Sequence, residues 1–284
     1  MKVGLVLEGG GMRGMYTAGV LDSFLDNDID INCIIGVSAG ALFGVNYASK
    51  QRGRALNYNT KYIKHPMYMS LKSLIKTGNM VNKEFAYYVL PRRLDIFDQE
   101  EFSKSNIDYY ATVTNVDSCE AEYIKIDNVF EQTEILRASS ALPFISNIVE
   151  VNDKRYLDGG IADSIPIEKM LTMGCDKIIV VLTRPYGYKK EKKKNKLLYK
   201  IAKQKYDKLA DIIDSRPDNY NATLENIYKL RDNKEIFVIQ PSRDIKIKRL
   251  EKDVARIKEI YNLGLTDSNN IIDELKKYLN SSNN

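Results

Sequence analysis

A serine framed by glycines two residues to either side, Gly36-Val37-Ser38-Ala39-Gly40, has the clearest chemical content in this 284-residue chain. It lies where an apolar run at 31–37 meets a helical pattern at 39–48. In so sharp a strand-to-helix bend a serine hydroxyl projects from the sheet edge, while the flanking glycines relieve crowding. Such a hydroxyl attacks a carbonyl only when a base takes its proton. Histidine is the usual base, and the chain has a single one, His65, which precedes Pro66 and has no carboxylate near it in sequence; these neighbours mark it as a surface or loop residue. A carboxylate is the other option. Asp158-Gly159-Gly160 puts an acid at an expected strand end with two small residues behind it, although such a turn is commonplace in isolation. A third cluster, Gly9, Gly10, Gly11 and Gly14, has the G-x-G-x-x-G spacing between an apolar strand and a helix. A dinucleotide site would add an acid at the end of the second strand. Ser38 stands there instead, and Asp26, Asp28 and Asp30 all precede it. The glycine loop therefore reads as a set of amides able to hold an anion, including the oxyanion of a reaction intermediate.

Residues so far apart in sequence meet only if their strands lie side by side. Strand, turn and helix occur in that order at 2–25 and again at 31–48, with apolar residues at helical spacing in each second half. Residues 109–116 and 121–126 have the alternation of a hairpin around Asp117 and Ser118. A helix is expected at 131–139, ending before Pro143, then a strand around Tyr156 that leads into Asp158. Pro166 suits the first position of a helix at 167–173. Residues 178–183 form the β-branched run of a strand buried on both faces. This alternation predicts an α/β fold, a mostly parallel central sheet with helices on both sides. Residues 53–94 are helical, loose and rich in tyrosine, with breaks near Pro66, Gly78 and Pro91. The last third reads as helices at 197–213, 223–230, 250–261 and 271–279 around one strand at 236–240. No linker rich in proline, glycine or serine divides the chain and no repeat is visible, so one domain over 1–284 is expected, with a motif-bearing core at about 3–185 and a basic, helical part at about 186–284.

Taken together, Gly9-Gly10-Gly11-Met12-Arg13-Gly14, Gly36-Val37-Ser38-Ala39-Gly40 and Asp158-Gly159-Gly160 resemble the three motifs of the patatin-like phospholipase family. Ala138-Ser139-Ser140-Ala141-Leu142-Pro143 and residues 161–166 are similar to the family's segments before and after the aspartate. The resemblance covers about residues 3–185 and implies a lipid acyl hydrolase with a serine–aspartate dyad, Ser38 as nucleophile and Asp158 as base. It also implies an oxyanion hole in the loop from Gly9 to Arg13, chiefly the amides of Gly10, Gly11 and Met12, with Arg13 helping to hold the loop. No metal and no diffusible cofactor are needed by such a reaction. Ser164 stands where many members carry asparagine. Two other readings compete: a dinucleotide-binding oxidoreductase, which lacks its acid after the second strand, and an adaptor or regulator with the same fold but no turnover, against which both Ser38 and Asp158 count.

Composition narrows the field from another side. With 44% hydrophobic and 29% charged residues the chain has ordinary globular usage. It has neither an apolar run long enough to span a bilayer nor the pattern of a secretory signal peptide. Cys33, Cys119 and Cys175 are too widely spread for a metal or redox pair, which fits a reducing cytoplasm. The net charge of +5 comes from one segment: between Arg184 and Lys205 ten basic residues face the single acid Glu191. No nucleic-acid-binding motif accompanies the run. Apolar residues at Leu197, Leu198, Ile201, Ala202, Leu209, Ile212 and Ile213 suggest a helix packed on the sheet. The lysine-rich stretch from Lys189, with Lys190, Lys192, Lys193 and Lys194, would then supply attraction to an anionic membrane.

Overall fold

The computed structural model describes residues 1–192, 199–200, 203–204 and 206–281. Lys193, Lys194, Leu197, Leu198, Ile201, Ala202 and Lys205 of the expected amphipathic stretch lie outside the described residues. Among the described residues eight strands form one sheet: β1 (Val3–Leu7), β2 (Cys33–Val37), β3 (Asp108–Asn115), β4 (Ala121–Lys125), β5 (Val149–Val151), β6 (Lys154–Asp158), β7 (Lys177–Val181) and β8 (Phe237–Ile239). Their order is β5-β6-β3-β2-β1-β7-β8, with β4 paired to β3. The run from β3 to β8 is parallel, whereas β4, β5 and β6 join by antiparallel pairing.

Every residue of β1, β2 and β7 is buried, as expected for strands covered on both faces. Alternate side chains feed two cores. Leu5, Leu7, Ile34 and Val181 pack with α1 (Met15–Asp26) and α2 (Ala39–Ala48), while Val6, Ile35 and Val180 pack on the opposite side with α7 (Ile167–Leu171). Helices α3 (Arg54–Tyr62), α4 (Leu71–Thr77) and a π-helical segment, Glu84–Leu94, account for the tyrosine-rich stretch. Pro91 does not end that segment, because its wide turns bond five residues back, as in the Asp95 amide to the Leu90 carbonyl at 2.9 Å. Next come α5 (Gln99–Lys104) and α6 (Thr133–Ser139).

The C-terminal part differs from its sequence pattern in the bounds of its helices. The helices expected on either side of residues 214–222 are joined in a single helix, α8 (Leu209–Asp232), which runs through Pro217. An interior proline costs about 3 kcal/mol. Both ends of α8 are anchored, Leu209 in the first core and Tyr220, Leu224 and Ile227 in the second, and burying such side chains contributes about 1.5–3 kcal/mol each. Asp253 caps α9 (Val254–Asn270) by accepting from the Ala255 amide, so that helix begins later than the apolar pattern from residue 250 implied. The last helix is α10 (Ile272–Asn280). Helix α9 crosses α1 at a pair of glycines: a Cβ on Gly19 would lie 2.1 Å from the Tyr261 carbonyl oxygen, and one on Gly264 the same distance from that of Tyr16. Backbones this close admit no side chain.

Candidate active site

Strand β3 is longer than its neighbour β2, and that overhang builds the site. Val37, the last residue of β2, pairs with Thr112, and the chain then leaves the sheet at Ser38 for α2. One residue further along β3, Val113 pairs with Asp158 at the end of the antiparallel strand β6. Two chain ends that approach from opposite directions therefore meet on adjacent positions of β3. The Ser38 Oγ donates to Asp158 Oδ2 at 2.8 Å, with the two residues only 7% and 2% exposed.

Ser38 has φ 53° and ψ −118°, a conformation that side-chain-bearing residues rarely adopt. The bend is possible because Gly36 passes within van der Waals contact of the Ala41 backbone and Gly40 within that of Leu7; a Cβ at either would lie 2.6 or 2.5 Å from those main-chain atoms. The Ser38 amide donates to Ser139 Oγ at 2.9 Å, and the Asp158 amide to the Ala141 carbonyl at 2.9 Å. The stretch after α6 thus holds both residues by their backbones. Asp158 Oδ1 accepts from the Gly160 amide at 2.8 Å, and Thr114 Oγ1 donates to the Asp158 carbonyl at 2.8 Å and lies 3.3 Å from that of Gly159. Burial pushes the Asp158 carboxyl above the ordinary aspartate range, while Arg216, the Ser38 hydroxyl, the Gly160 amide and Arg249 pull it back.

The glycine loop lies against this pair: Gly9, Gly10 and Gly11 line the same small cavity as Ser38 and Asp158. The sequence grouped Gly9, Gly10, Gly11, Met12 and Arg13 as one hole, and their amides differ in availability. Met12 donates to the Arg249 carbonyl at 3.0 Å, and Arg13 donates to the Gly10 carbonyl at 3.3 Å. These two amides are committed within the chain, which leaves those of Gly9, Gly10 and Gly11 as the candidates to receive an oxyanion. His65 is stacked on Phe85 with ring centroids 4.6 Å apart, is exposed, and lines neither cavity at Ser38.

Two cavities meet at Ser38, Gly11, Leu142 and Arg249. The larger, of about 200 Å³, is walled mainly by apolar and aromatic side chains, among them Leu42, Phe43, Tyr58, Met80, Leu90 and Leu136. The tyrosine-rich segment, whose role was illegible in sequence, supplies much of this wall. The smaller, of about 30 Å³, is polar and carries Arg13, Arg184, Lys190, Arg216 and Arg249. Behind it sits Glu8, 3% exposed, whose oxygens accept from the Thr183 amide at 2.5 Å, the Thr183 hydroxyl at 3.0 Å and the Tyr220 hydroxyl at 2.8 Å. Glu8 does not stand out in the sequence as a candidate. Ser139 belonged to a quoted segment without a role of its own, and Arg216 and Arg249 carried no local signal.

The expected membrane-facing lysines are partly engaged elsewhere. Lys190 turns toward the small cavity and over the Tyr220 ring at 4.0 Å, Lys192 pairs with Asp218 at 2.7 Å, and Lys203 pairs with Asp207 at 3.1 Å. Among the described residues no cluster of three or more His, Cys, Asp or Glu side chains could hold a metal ion, and no helix is long and apolar enough to cross a membrane.

Comparison with known proteins adds independent information. The family model described as patatin-like phospholipase matches residues 5–171, and a domain of unknown function, DUF6363, matches residues 206–280. The uncharacterized protein YjjU of Escherichia coli is 25% identical over 274 residues, covering 93% of this chain and 75% of that protein. Lysophospholipase NTE1 of Saccharomyces cerevisiae is 27% identical over 184 residues, and its Aspergillus oryzae counterpart nte1 is 26% identical over 185; each match covers 63% of this chain. The matched segments span only 10% and 12% of those two proteins. Among solved structures, VipD from Legionella pneumophila is similar with a TM-score of 0.46 and 13% identity, over 96% of this chain and 67% of that one.

Proposed function

Because the chain belongs to the patatin-like phospholipase family, a family of lipid hydrolases, we propose that it is a serine acyl hydrolase of lipid esters in which Ser38 is the nucleophile and Asp158 the base. The observation that carries this reading is the buried 2.8 Å hydrogen bond from the Ser38 hydroxyl to Asp158 in a site with no histidine in its lining. The acyl chain lies in the apolar cavity and the alcohol portion in the polar one. Ser38 Oγ attacks the ester carbonyl as Asp158 takes its proton, and the amides of Gly10 and Gly11 receive the negative oxygen. Fixed donors of this kind typically contribute about 3 kcal/mol each to the transition state. The tetrahedral intermediate collapses to the acyl-enzyme, and the proton on Asp158 passes to the departing alkoxide. Water then attacks the acyl carbonyl, Asp158 again accepts the proton, and fatty acid and free serine are regenerated. No cofactor enters these steps. Contact with an anionic membrane through the segment from Lys189 to Lys205 belongs to the same proposal, tested by sedimentation with anionic vesicles at low and high salt.

The decisive experiment is labelling with a fluorophosphonate, which reacts only with an activated serine. The parent protein is expected to label and to lose both labelling and turnover of a short-chain nitrophenyl ester on Ser38→Ala. Absence of labelling in the folded parent would favour an adaptor or regulator that keeps the fold without the chemistry.

A further inference from the structure

The smaller cavity has more positive charge than the chain itself balances. Five cationic side chains, Arg13, Arg184, Lys190, Arg216 and Arg249, share its lining with two carboxylates. Glu8 accepts from Thr183 and Tyr220 and Asp158 from Ser38 and Gly160, all neutral donors, so the two carboxylates offset only two of the five positive charges. Among the described residues, Arg13, Lys190, Arg216 and Arg249 take part in no ion pair within 4.0 Å, and Arg184 reaches only the exposed Asp244, at 3.8 Å. The Arg13 Nε is buried without a hydrogen-bond partner, an expensive state for a charged group. Crowding of like charge also acts on titration: burial and the neighbouring arginines Arg216, Arg249 and Arg13 lower the Lys190 ammonium to about 7, against the pull of Glu8. Guanidinium groups that converge on a partly enclosed space are the usual means of holding a phosphate.

Resting on the hydrolase reading above, we propose that this cavity is a subsite for a phosphate carried by the alcohol half of the ester, so that the preferred substrate is an acyl glycerophosphate with a terminal, unsubstituted phosphate. The cavity opens onto Ser38, which places an acyl carbonyl between the apolar wall and the arginines. A choline extension would add a sixth cation to these five, and a neutral glyceride would leave them without a counter-charge. Arg216 and Arg249 belong to the segment matched by the domain of unknown function, so that segment acts as the wall that selects the head group.

The test compares three esters of one oleoyl chain in the same mixed micelles: oleoyl-glycerophosphate, oleoyl-glycerophosphocholine and oleoylglycerol. The parent is expected to show a kcat/KM for the glycerophosphate about tenfold or more above either of the others, the effect of one charge-assisted contact, and the preference should shrink with added salt. In the Arg184→Gln/Arg249→Gln double variant the preference should fall about tenfold, mainly through KM, whereas Arg249→Lys should retain most of it. A second measurement needs no variant: glycerophosphate should compete with substrate in the parent, and inorganic phosphate should do so much more weakly. Equal competition by the two anions with no preference among the esters would mean that the cavity takes free phosphate, and would overturn the head-group assignment. Equal turnover of all three esters without competition would overturn the anion subsite while leaving the hydrolase intact. A folded parent that cleaves none of them and is not labelled by a fluorophosphonate would remove the hydrolase reading itself.

Discussion

On the apolar side of Ser38, the arginines that reach the cavity from the motif-bearing core bring their own counter-charges. Arg54 pairs with Asp95 at 2.9 Å and Arg137 with Glu134 at 2.6 Å. On the polar side Arg13, Lys190 and Arg216 have no such partner among the described residues. The same residue types thus serve two purposes a few side chains apart. Where the chain supplies the anion, a buried arginine can tie helices together and leave the surface it faces effectively neutral. Where it does not, the charge is held for something that arrives from outside.

The largest effect expected from breaking this arrangement is at Asp158. Asp158→Asn should lower turnover of any ester on the order of a thousandfold, as for loss of a member of a catalytic triad, while His65→Gln on the far side of Phe85 should change it less than about threefold. The reverse ranking would reinstate histidine as the base. The pH profile sharpens the result. Burial raises the Asp158 carboxyl and Arg216 opposes that rise, so the acid limb of kcat/KM should lie above the ordinary aspartate range, and Arg216→Gln should move it to higher pH. A limb that moves down or stays fixed would show that Arg216 does not act on Asp158. Linkage gives the matching sign for stability: a carboxyl whose folded value is raised favours the folded state most at low pH, and that contribution is lost as pH rises through the folded value.

Next in size is the attachment of the C-terminal helices. Gly264→Ala would drive a methyl group into the Tyr16 carbonyl, and overpacking of this kind costs about 1–3 kcal/mol. A drop in Tm of about 3–8 °C by calorimetry is expected; an unchanged Tm would mean that the helices separate at little cost. The smallest effect is at the apolar cavity. Glu134→Gln strips Arg137 of its counter-charge and makes that wall resemble the other one. Turnover of long-chain esters should fall by about fivefold at most, since a partly exposed pair contributes about 1 kcal/mol. A loss as large as that from Asp158→Asn would erase the distinction between the two sides.

The parts of this molecule that could be read in advance are those whose physics is local. The strand-turn-helix at Ser38 depends on two glycines within five residues, and the hairpin of β3 and β4 on alternation around a tight turn. The distances that matter elsewhere span the whole chain. Glu8 meets Thr183 and Tyr220, 175 and 212 positions away, and no periodicity links them. Ser139 was visible as part of a motif, but its task, to accept the Ser38 amide, depends on where α6 ends relative to β2. The commitment of the Met12 amide to the Arg249 carbonyl was hidden for the same reason. The continuity of α8 through Pro217 was hidden because an interior proline is a local cost, and packing at both ends of the helix offsets it.

The overhang of β3 beyond β2 has a consequence for how the sheet must be assembled. Side chains alternate between the two faces of a strand, so a slip of β6 by one residue along β3 would carry Asp158 to the opposite face and leave Ser38 facing the neighbouring side chain. Only one alignment joins the pair, and Thr114, bonded to the Asp158 carbonyl, fastens it. Under the proposed mechanism, ester turnover would therefore also report on strand alignment: a molecule that has collapsed with the right strands in the wrong phase would keep its secondary structure and be silent.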